Sequence, residues 1–231
     1  MPPVSRRRSL CRLPRSRRFR SSPSCFRGGV ARSFPERRPA TETLSTRRGP
    51  SVAVRRCSWA THEPLTSYHD VEWGRSEHRD RLLFEFLVLE GMQAGLSWET
   101  VLRKRPAFRR AFARFDPSKV ARFGAREVAR LLNDEGIIRN RAKIDAAIGN
   151  AKAFLAVTDE FGSFDRYVWG FDDKERLSKD LKKRGFKFVG PTIVESFMQA
   201  VGIRNDHERR CYRYSELERR NERTKKRYLG R

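Results

Sequence analysis

Apolar residues recur at helical spacing through most of the chain from residue 57 onward, and this pattern predicts an all-α fold. The predicted helices lie near 79–91, 97–105, 106–114, 117–122, 125–134, 140–159, 177–185 and 191–201. Pro106 and Pro191 fall at the first positions of their helices, where proline is well tolerated. The segment FKFVG at 186–190 is the best candidate for a strand, and it is short. We therefore expect a helical domain without an internal repeat.

The stretch from Leu82 to Trp98 carries one carboxylate on an otherwise apolar helix face. Leu83, Phe86 and Leu87 lie seven, four and three residues before Glu90, and these spacings place the side chains on one face. Burying an unpaired ionised group costs on the order of several kcal/mol. Glu90 therefore needs either a hydrogen-bond partner within the protein or a ligand.

The residues that follow Glu90 favour a ligand. Gly91 and Gly95 are expected to break the helix, and Ser97 is a suitable N-cap for the next helix, with Trp98 beside it. An acid, a glycine turn and an aromatic ring are thereby brought close together. This is the composition of a small pocket.

The helix at 125–134, the turn EGIIRN and the helix that starts near Asn140 form a candidate helix-hairpin-helix motif. Such a motif directs backbone N–H groups and the N-terminus of its second helix toward a phosphate. An ordinary helical hairpin with a solvated basic edge explains the pattern equally well. The residues that could contact a DNA backbone are Gly136 in the turn and the basic residues Arg139, Arg141 and Lys143.

The chain is strongly basic, with a formal net charge of +24. Residues 1–56 contain sixteen Arg, no Lys and only two acidic residues, Glu36 and Glu42. Their Arg-, Ser- and Pro-rich composition predicts a disordered extension, which could be an organelle transit peptide, a basic arm, or the product of a start codon assigned too far upstream. The rest of the chain is also basic, which favours a polyanionic partner such as nucleic acid.

No run approaches the roughly 18 apolar residues of a membrane-spanning helix, so we expect no membrane association. The four cysteines include no CxxC pair, and no signal peptide is recognisable, which favours a reducing compartment. We divide the rest of the chain into a main domain at 57–216 and a basic C-terminal tail at 217–231.

Two cysteines and two histidines of the main domain could form a metal site. His207 and Cys211 are four residues apart and would share one face of a helix, while Cys57 and His69 lie at the other end of the domain. Two thiolates and two imidazoles form a closed tetrahedral zinc set. A free buried cysteine with scattered surface histidines is an open alternative. A hydrolytic pair of Cys211 with His207 lacks a nucleophile turn and an oxyanion loop.

Several motifs together resemble the 3-methyladenine DNA glycosylase I family, the constitutive Tag-type enzymes. In chain order they are CSW, YHDVEWG, LFEFLVLEGMQAGLSWETVLRKR, FDPSKVA, GIIRNRAKIDAAIGNA, LSKDLKKRGFKFVGPTIVESFMQAVG and NDHERRC. The resemblance runs from about Cys57 to Tyr214. It implies a helix-hairpin-helix glycosylase fold whose ends are tied by one structural zinc ion, Zn²⁺, on Cys57, His69, His207 and Cys211.

The resemblance also implies a function, which is base-excision repair. An enzyme of this family flips 3-methyladenine out of alkylated double-stranded DNA and hydrolyses its N-glycosidic bond, leaving an abasic site. We expect a monomer without an obligate protein partner, in the bacterial cytoplasm, or in an organelle if residues 1–56 are a transit peptide. The implied site comprises Glu90 as the catalytic residue, Tyr68, Trp73 and Trp98 around the base, and Gln93 and Leu96 facing the gap that the base leaves.

The sequence departs from the family pattern at Thr66 and Ser67, where an additional aromatic residue often occurs. The aspartate that other members of the superfamily place after the hairpin is absent, and we expect the nearest carboxylate, Asp145, at the surface. Two alternatives to an enzyme stay open at this point. One is a basic helical DNA-binding module, and the other is a protein that senses alkylated bases without excising them.

Overall fold

The computed structural model describes residues 54–230, and within that range all regular structure is helical, which confirms the predicted all-α class. Of the predicted extension at 1–56, residues 1–53 lie outside the described range. The ten α-helices are α1 (Leu65–Val71), α2 (Asp80–Gln93), α3 (Trp98–Ala111), α4 (Pro117–Val120), α5 (Ala125–Asn133), α6 (Arg141–Phe161), α7 (Phe164–Val168), α8 (Lys174–Lys183), α9 (Pro191–Ala200) and α10 (Tyr214–Leu229). None of the helices in this range has the length and apolar character needed to cross a membrane.

Helix α2 lies at the centre of the domain. It packs against α3, α6, α7 and α9, and every residue from Leu83 to Met92 is buried. A helix that is covered on all sides must find a partner for each polar side chain that it carries. Glu85 accepts hydrogen bonds from Arg105 and Arg109 of α3, at 2.6 and 2.8 Å.

Helix α3 is continuous, so the predicted break at Pro106 is wrong. We expected separate helices at 97–105 and 106–114, whereas one helix runs through the proline and ends at Ala111. A proline inside a helix removes one backbone hydrogen bond and costs about 3 kcal/mol. Burial of side chains on both sides of it, such as Val101 and Phe108, offsets this cost.

The segment FKFVG is not a strand, and here too the prediction is wrong. The side chain of Asn150 takes the place of a neighbouring strand. Its Oδ1 accepts from the backbone N–H of Lys187 at 2.8 Å, and its Nδ2 donates to the carbonyl of the same residue at 2.9 Å. A single side chain can satisfy both backbone groups of a residue in an irregular segment in this way, and no sequence pattern predicts it.

Three helices were not predicted. Helices α1 and α7 have seven and five residues, which is too short for a clear periodic signal. Helix α10 has sixteen residues and includes most of the segment 217–231 that we described as a tail. At the other end, Arg55 and Arg56 contact the domain, since Tyr212 N donates to the carbonyl of Arg55 at 2.9 Å.

Gly202 allows the end of α9 to lie against the segment that joins α1 to α2. Its φ is +81°, and an added Cβ would lie 2.6 Å from backbone atoms of Arg75 and Ser76. The backbone N–H of Gly74 donates to the carbonyl of Ala200 at 3.2 Å beside this contact. Only glycine combines this backbone angle with such a close approach.

We expect Gly202→Ala to lower the free energy of unfolding by about 3 kcal/mol or more, because two backbone segments must separate. Gly185→Ala is the matched control, since Gly185 also has a positive φ, +90°, but no atom lies within 4 Å of its added Cβ. The control should cost only about 1 to 2 kcal/mol of backbone strain. Urea unfolding of both variants measures the difference, and equal losses would contradict the close-approach explanation.

Candidate functional site

A cavity of about 380 Å³ opens beside the C-terminal half of α2. This volume is within the range of small-molecule pockets. The predicted residues Tyr68, Trp73, Glu90, Gln93 and Trp98 all line it. The tertiary structure therefore brings the predicted base-binding residues to one cavity.

Glu90 faces this cavity without a hydrogen-bond donor from the described part of the chain. The residue is 4 % exposed, and burial alone raises the pKa of its carboxyl group to about 8. The group is therefore mainly protonated near neutral pH when nothing fills the cavity. A cation or an N–H donor in the cavity would favour the ionised form.

Aromatic rings form the walls around Glu90. The Tyr68 and Trp98 rings lie 5.4 Å apart between centroids, and the Trp59 and Trp73 rings lie 4.9 Å apart at an interplanar angle of 89°. Burial raises the pKa of the Tyr68 hydroxyl well above its ordinary value. The Nε1 of Trp98 is buried and has no hydrogen-bond partner among residues 54–230. The cavity thus offers flat apolar faces together with a few polar atoms.

Sequence reasoning missed further lining residues, among them Trp59, Leu65, Glu99, Ser196 and Gln199. Trp59 belongs to the CSW motif, and its aromatic character was a usable signal. Ser196 and Gln199 come from α9, more than a hundred residues after α2, and only the packing of α9 on α2 reveals them. Thr66 and Ser67 are absent from the cavity lining.

The turn between α2 and α3 forms one edge of the cavity. Helix α2 continues past Gly91, so the predicted break there is wrong, whereas Gly95 has a φ of +78° and turns the chain. Gln93 Nε2 donates to the carbonyl of Leu96 at 3.0 Å, and the Leu96 side chain is 40 % exposed. Ser97 caps α3 as predicted, because its side chain accepts a backbone N–H from the first turn of that helix.

Helices α5 and α6 and the short turn between them form a helical hairpin at the predicted position. The side chain of Asn140 caps α6, and both Arg139 and Arg141 are exposed. Asp145 is exposed as expected, and its carboxylate accepts from Arg141 Nε at 2.8 Å. The N–H of Gly136 donates to the side chain of its neighbour Asp134 at 2.9 Å.

Lys143 differs from its prediction as a contact to the DNA backbone. Its ammonium group is buried and donates to the carbonyls of Met92 and Ala94, at 2.8 and 2.6 Å. These carbonyls lie at the C-terminal end of α2, where a cation is favourable. Lys143 therefore joins the hairpin to the edge of the cavity and is not available to a phosphate.

The four predicted metal ligands, Cys57, His69, His207 and Cys211, are all buried, and their donor atoms lie within 4.8 Å of one another. Cys57 Sγ is 3.5 Å from His207 Nδ1, and Cys211 Sγ is 3.3 Å from His69 Nε2. Tetrahedral zinc bonds of about 2.3 Å to sulfur and about 2.0 Å to nitrogen would separate such atoms by about 3.5 Å. The cluster could therefore hold a metal ion.

His207 and Cys211 reach this cluster from a turn after α9, and the prediction that they share a helix face is wrong. The backbone N–H of Cys211 donates to the carbonyl of Glu208 at 2.8 Å, which closes the turn. Four residues of a tight turn can bring two side chains together as well as a helix does.

Polar groups around the cluster orient both histidines. His69 Nδ1 lies 2.8 Å from Asp70 Oδ1, and Arg56 holds that carboxylate at 2.7 Å. His207 Nε2 lies 3.3 Å from the carbonyl of Trp73, and burial lowers the pKa of His207 to about 4. Neutral, oriented imidazoles are the form that binds metals.

The methyladenine glycosylase family model matches this chain over residues 59–177 and 172–214. The chain belongs to the methyladenine glycosylase family. It is 47% identical over 182 residues to DNA-3-methyladenine glycosylase 1 of Escherichia coli (strain K12), covering 70% of this chain and 97% of that protein.

Solved structures of the family have the same fold. A crystal structure of 3-methyladenine DNA glycosylase I is 46% identical, with a TM-score of 0.66 over 68% of this chain and 98% of that chain. The enzyme from Staphylococcus aureus, in a structure describing its recognition of 3-methyladenine, is 34% identical, with a TM-score of 0.67 over 70% of this chain and 97% of that chain. The match to the methyladenine glycosylase family model ends at residue 214, where α10 begins.

The raised pKa of Glu90 predicts a pH-dependent stability. Because burial raises its pKa from 4.5 to about 8, the folded protein keeps a proton that the unfolded chain releases between these values. The stability contributed by the protonated group is complete below pH 4.5 and is lost as the pH rises toward 8. Glu90→Gln should therefore gain stability relative to the unmodified protein between pH 5 and pH 8.5, by on the order of 3 kcal/mol.

Urea unfolding at several pH values measures this gain. Glu99→Gln is the control on the same cavity, because a hydrogen bond from Arg103 lowers the pKa of Glu99 and moves its titration to acid pH. A stability difference between Glu90→Gln and the unmodified protein that stays constant with pH would contradict the desolvated state of Glu90.

Proposed function

We propose that this protein is a DNA glycosylase that removes 3-methyladenine from alkylated double-stranded DNA and leaves an abasic site. The observation that carries the proposal is Glu90, a buried carboxyl group that faces an aromatic cavity without a hydrogen-bond donor among the described residues. Relatives over nearly their whole length are named as 3-methyladenine DNA glycosylases, which supports the same substrate here.

The base must leave the duplex before it can reach Glu90. Extrusion costs a few kcal/mol of stacking and pairing, and a cavity of about 380 Å³ has room for one purine. We place Leu96 and Gln93 opposite the vacated position. Leu96 is not part of the cavity lining, but it is an exposed apolar side chain in the turn between two lining residues, Gln93 and Ser97. Gln93 stabilises this turn through its hydrogen bond to the Leu96 carbonyl. An apolar wedge in this position would keep the extruded base from returning.

Charge supplies the selectivity. A 3-methyladenine in DNA carries a delocalised positive charge, so Tyr68 and Trp98 can stack on it with a cation–π contribution. Its amino edge can donate to Glu90, and the nearby cation favours the ionised carboxylate. Normal adenine lacks the charge, so Glu90 would stay protonated beside it and form no ion pair. Glu90 thereby stabilises the bound cationic base relative to the neutral one.

The chemistry demands little from the protein once the base is bound. The cationic base is a good leaving group, so water can replace it at the sugar carbon with little help from a general acid. Asp145 is exposed and paired with Arg141, and we assign it no catalytic role. Lys143 uses its ammonium group for two backbone carbonyls, so it is unsuited to a Schiff base with the sugar. The proposed enzyme therefore leaves the strand intact at the abasic site.

The α5–α6 pair is the proposed helix-hairpin-helix contact to the DNA backbone. The N-terminus of α6 favours an anion, and Arg139 and Arg141 are exposed beside it. Their ion pairs with Glu135 and Asp145 are at the surface, where such pairs contribute about 0 to 1 kcal/mol. A phosphate can therefore replace either carboxylate at little cost.

We further propose that the Cys/His cluster binds one structural Zn²⁺. Two sulfur and two nitrogen atoms complete a tetrahedral shell, which leaves no position for substrate. Backbone N–H groups donate to both sulfur atoms, at 3.3 Å for Cys57 and 3.4 Å for Cys211, which suits thiolates. The ion would link the start of the domain to the turn after α9.

Glu90→Gln tests the proposed function. We expect release of free 3-methyladenine from methylated duplex DNA to fall by about 100-fold or more, while affinity for undamaged DNA changes little. Glu99→Gln, at the same cavity, should keep most of the activity. Chromatography of the released base and a DNA-binding titration measure the two quantities.

Three results would contradict parts of this proposal. An unmodified protein that binds DNA without releasing base would point to a binding module, or to a sensor if it retains 3-methyladenine. Release that persists in Glu90→Gln would remove Glu90 from its role. A borohydride-trapped protein–DNA adduct would show strand cleavage through a Schiff base.

His69→Ala tests the metal proposal. The variant should lose the zinc found by elemental analysis and about 3 kcal/mol or more of stability together, because structural zinc binding is coupled to folding. His62→Ala is the matched control, since His62 is exposed and lies outside the cluster. Unmodified protein with far less than one equivalent of zinc and full thermal stability would refute the proposal.

A further inference from the structure

Helix α10 lies beyond the family match and is nevertheless fixed to the domain along its length. Leu217 is fully buried, and Asn221 Nδ2 donates to the carbonyl of Gly74 at 2.9 Å. Near the other end, the Tyr228 hydroxyl donates to Asp165 at 2.5 Å. An isolated helix of this length is marginal in water, so these contacts hold its outer surface in place.

The outer surface of α10 carries a dense set of cations. Its exposed basic side chains are Arg219, Arg220, Arg223, Lys226 and Arg227, and none of them forms an ion pair within residues 54–230. Of the three acidic residues of the helix, Glu216 pairs with Arg213 at 3.2 Å and Glu218 accepts from Asn205 at 2.6 Å, whereas Glu222 is exposed; five exposed cations therefore stand against one exposed carboxylate that has no partner among residues 54–230. Like charges three and four residues apart destabilise a helix, so a polyanion on this surface would relieve a repulsion.

The C-terminal part of α10 is distant from the cavity. Asp165, which binds Tyr228, starts α7 beside the N-terminus of α2, where Asp80 accepts the N–H of Asp165 at 2.9 Å. Glu90 lies ten residues after Asp80 in α2, which corresponds to about 15 Å along the helix axis. At 3.4 Å per base pair, that length corresponds to about four base pairs of duplex.

We propose that α10 is a second, sequence-independent contact surface for DNA phosphates, separate from the cavity and the hairpin. The inference rests on the proposed function in one respect, which is that duplex DNA is the polyanion this protein meets as its substrate. The surface strengthens association with DNA and takes no part in bond cleavage. Each phosphate contact releases condensed counterions, so its contribution falls as salt concentration rises.

The test replaces Arg219, Arg223 and Lys226 together with Gln, which keeps good helix formers on one face of α10. The matched control replaces Arg176, Lys179 and Lys183 with Gln on α8, where the three side chains are also exposed and form no ion pair among the described residues. Both triple variants remove three positive charges. The full chain is used in each case, and circular dichroism verifies that both variants keep their helices.

Affinity for an undamaged 24-base-pair duplex is measured from about 50 to 200 mM salt. The α10 variant should bind about 10-fold more weakly at the lowest salt, and its slope of log affinity against log salt should shrink by up to about 2.7, or 0.9 for each lost contact. The α8 variant should keep its slope within about 0.5. Equal slope changes in the two variants, or no change in either, would overturn the proposal.

Base release separates this proposal from the function itself. The α10 variant should keep the kcat for 3-methyladenine release and lose kcat/KM, because the cavity is untouched. If kcat falls as much as kcat/KM, the surface acts on chemistry and the proposal is wrong. Unmodified protein that releases no base, together with a slope change confined to the α10 variant, would refute the function and leave the DNA contact in place.

Discussion

The burial of α2 on all sides is the constraint on which the rest of the domain depends. Two buried glutamates, Glu85 and Glu90, lie on this helix, and they differ in their hydrogen-bond partners. Glu85 accepts hydrogen bonds from Arg105 and Arg109 of α3, which lie on either side of Pro106. Glu90 is left without such a partner, and the structure places a cavity beside it. A carboxyl group held in this state favours a ligand that brings a positive charge or an N–H donor.

Two separate structural features border the walls of that cavity, the Lys143 hydrogen bonds and the Cys/His cluster. On one side Lys143 donates to the carbonyls of Met92 and Ala94, so it links the hairpin to the turn before α3. On the other side the Cys/His cluster borders the aromatic wall, since Tyr68 precedes His69 in the chain and His207 lies against the carbonyl of Trp73. The four cluster residues lie outside the cavity lining, but the His69 and His207 rings contact the ring of Trp73, which lines it. Pre-organised walls reduce the entropy lost when a base is bound.

Basic side chains have different surroundings in the family domain and on α10. Within the domain, many basic side chains are paired, as Arg56 is with Asp70 and Arg105 is with Glu85. On α10 the exposed cations have no such partners among the described residues, although apolar and amide contacts anchor the helix. The same chain therefore contains charges that stabilise its own fold and charges that are directed outward.

The sequence by itself determined the helical class, most helix positions, part of the cavity lining, and the four residues of the cluster. Helical periodicity and capping are local signals, so Ser97 and the long helix after Asn140 could be predicted without a structure. The motifs likewise identified Glu90 and the four cluster residues. Only the tertiary structure decided that Pro106 lies inside one helix, that Asn150 replaces a strand, and that Lys143 faces inward. It alone brought Ser196 and Gln199 to the cavity, because each of these outcomes depends on contacts between residues distant in the chain.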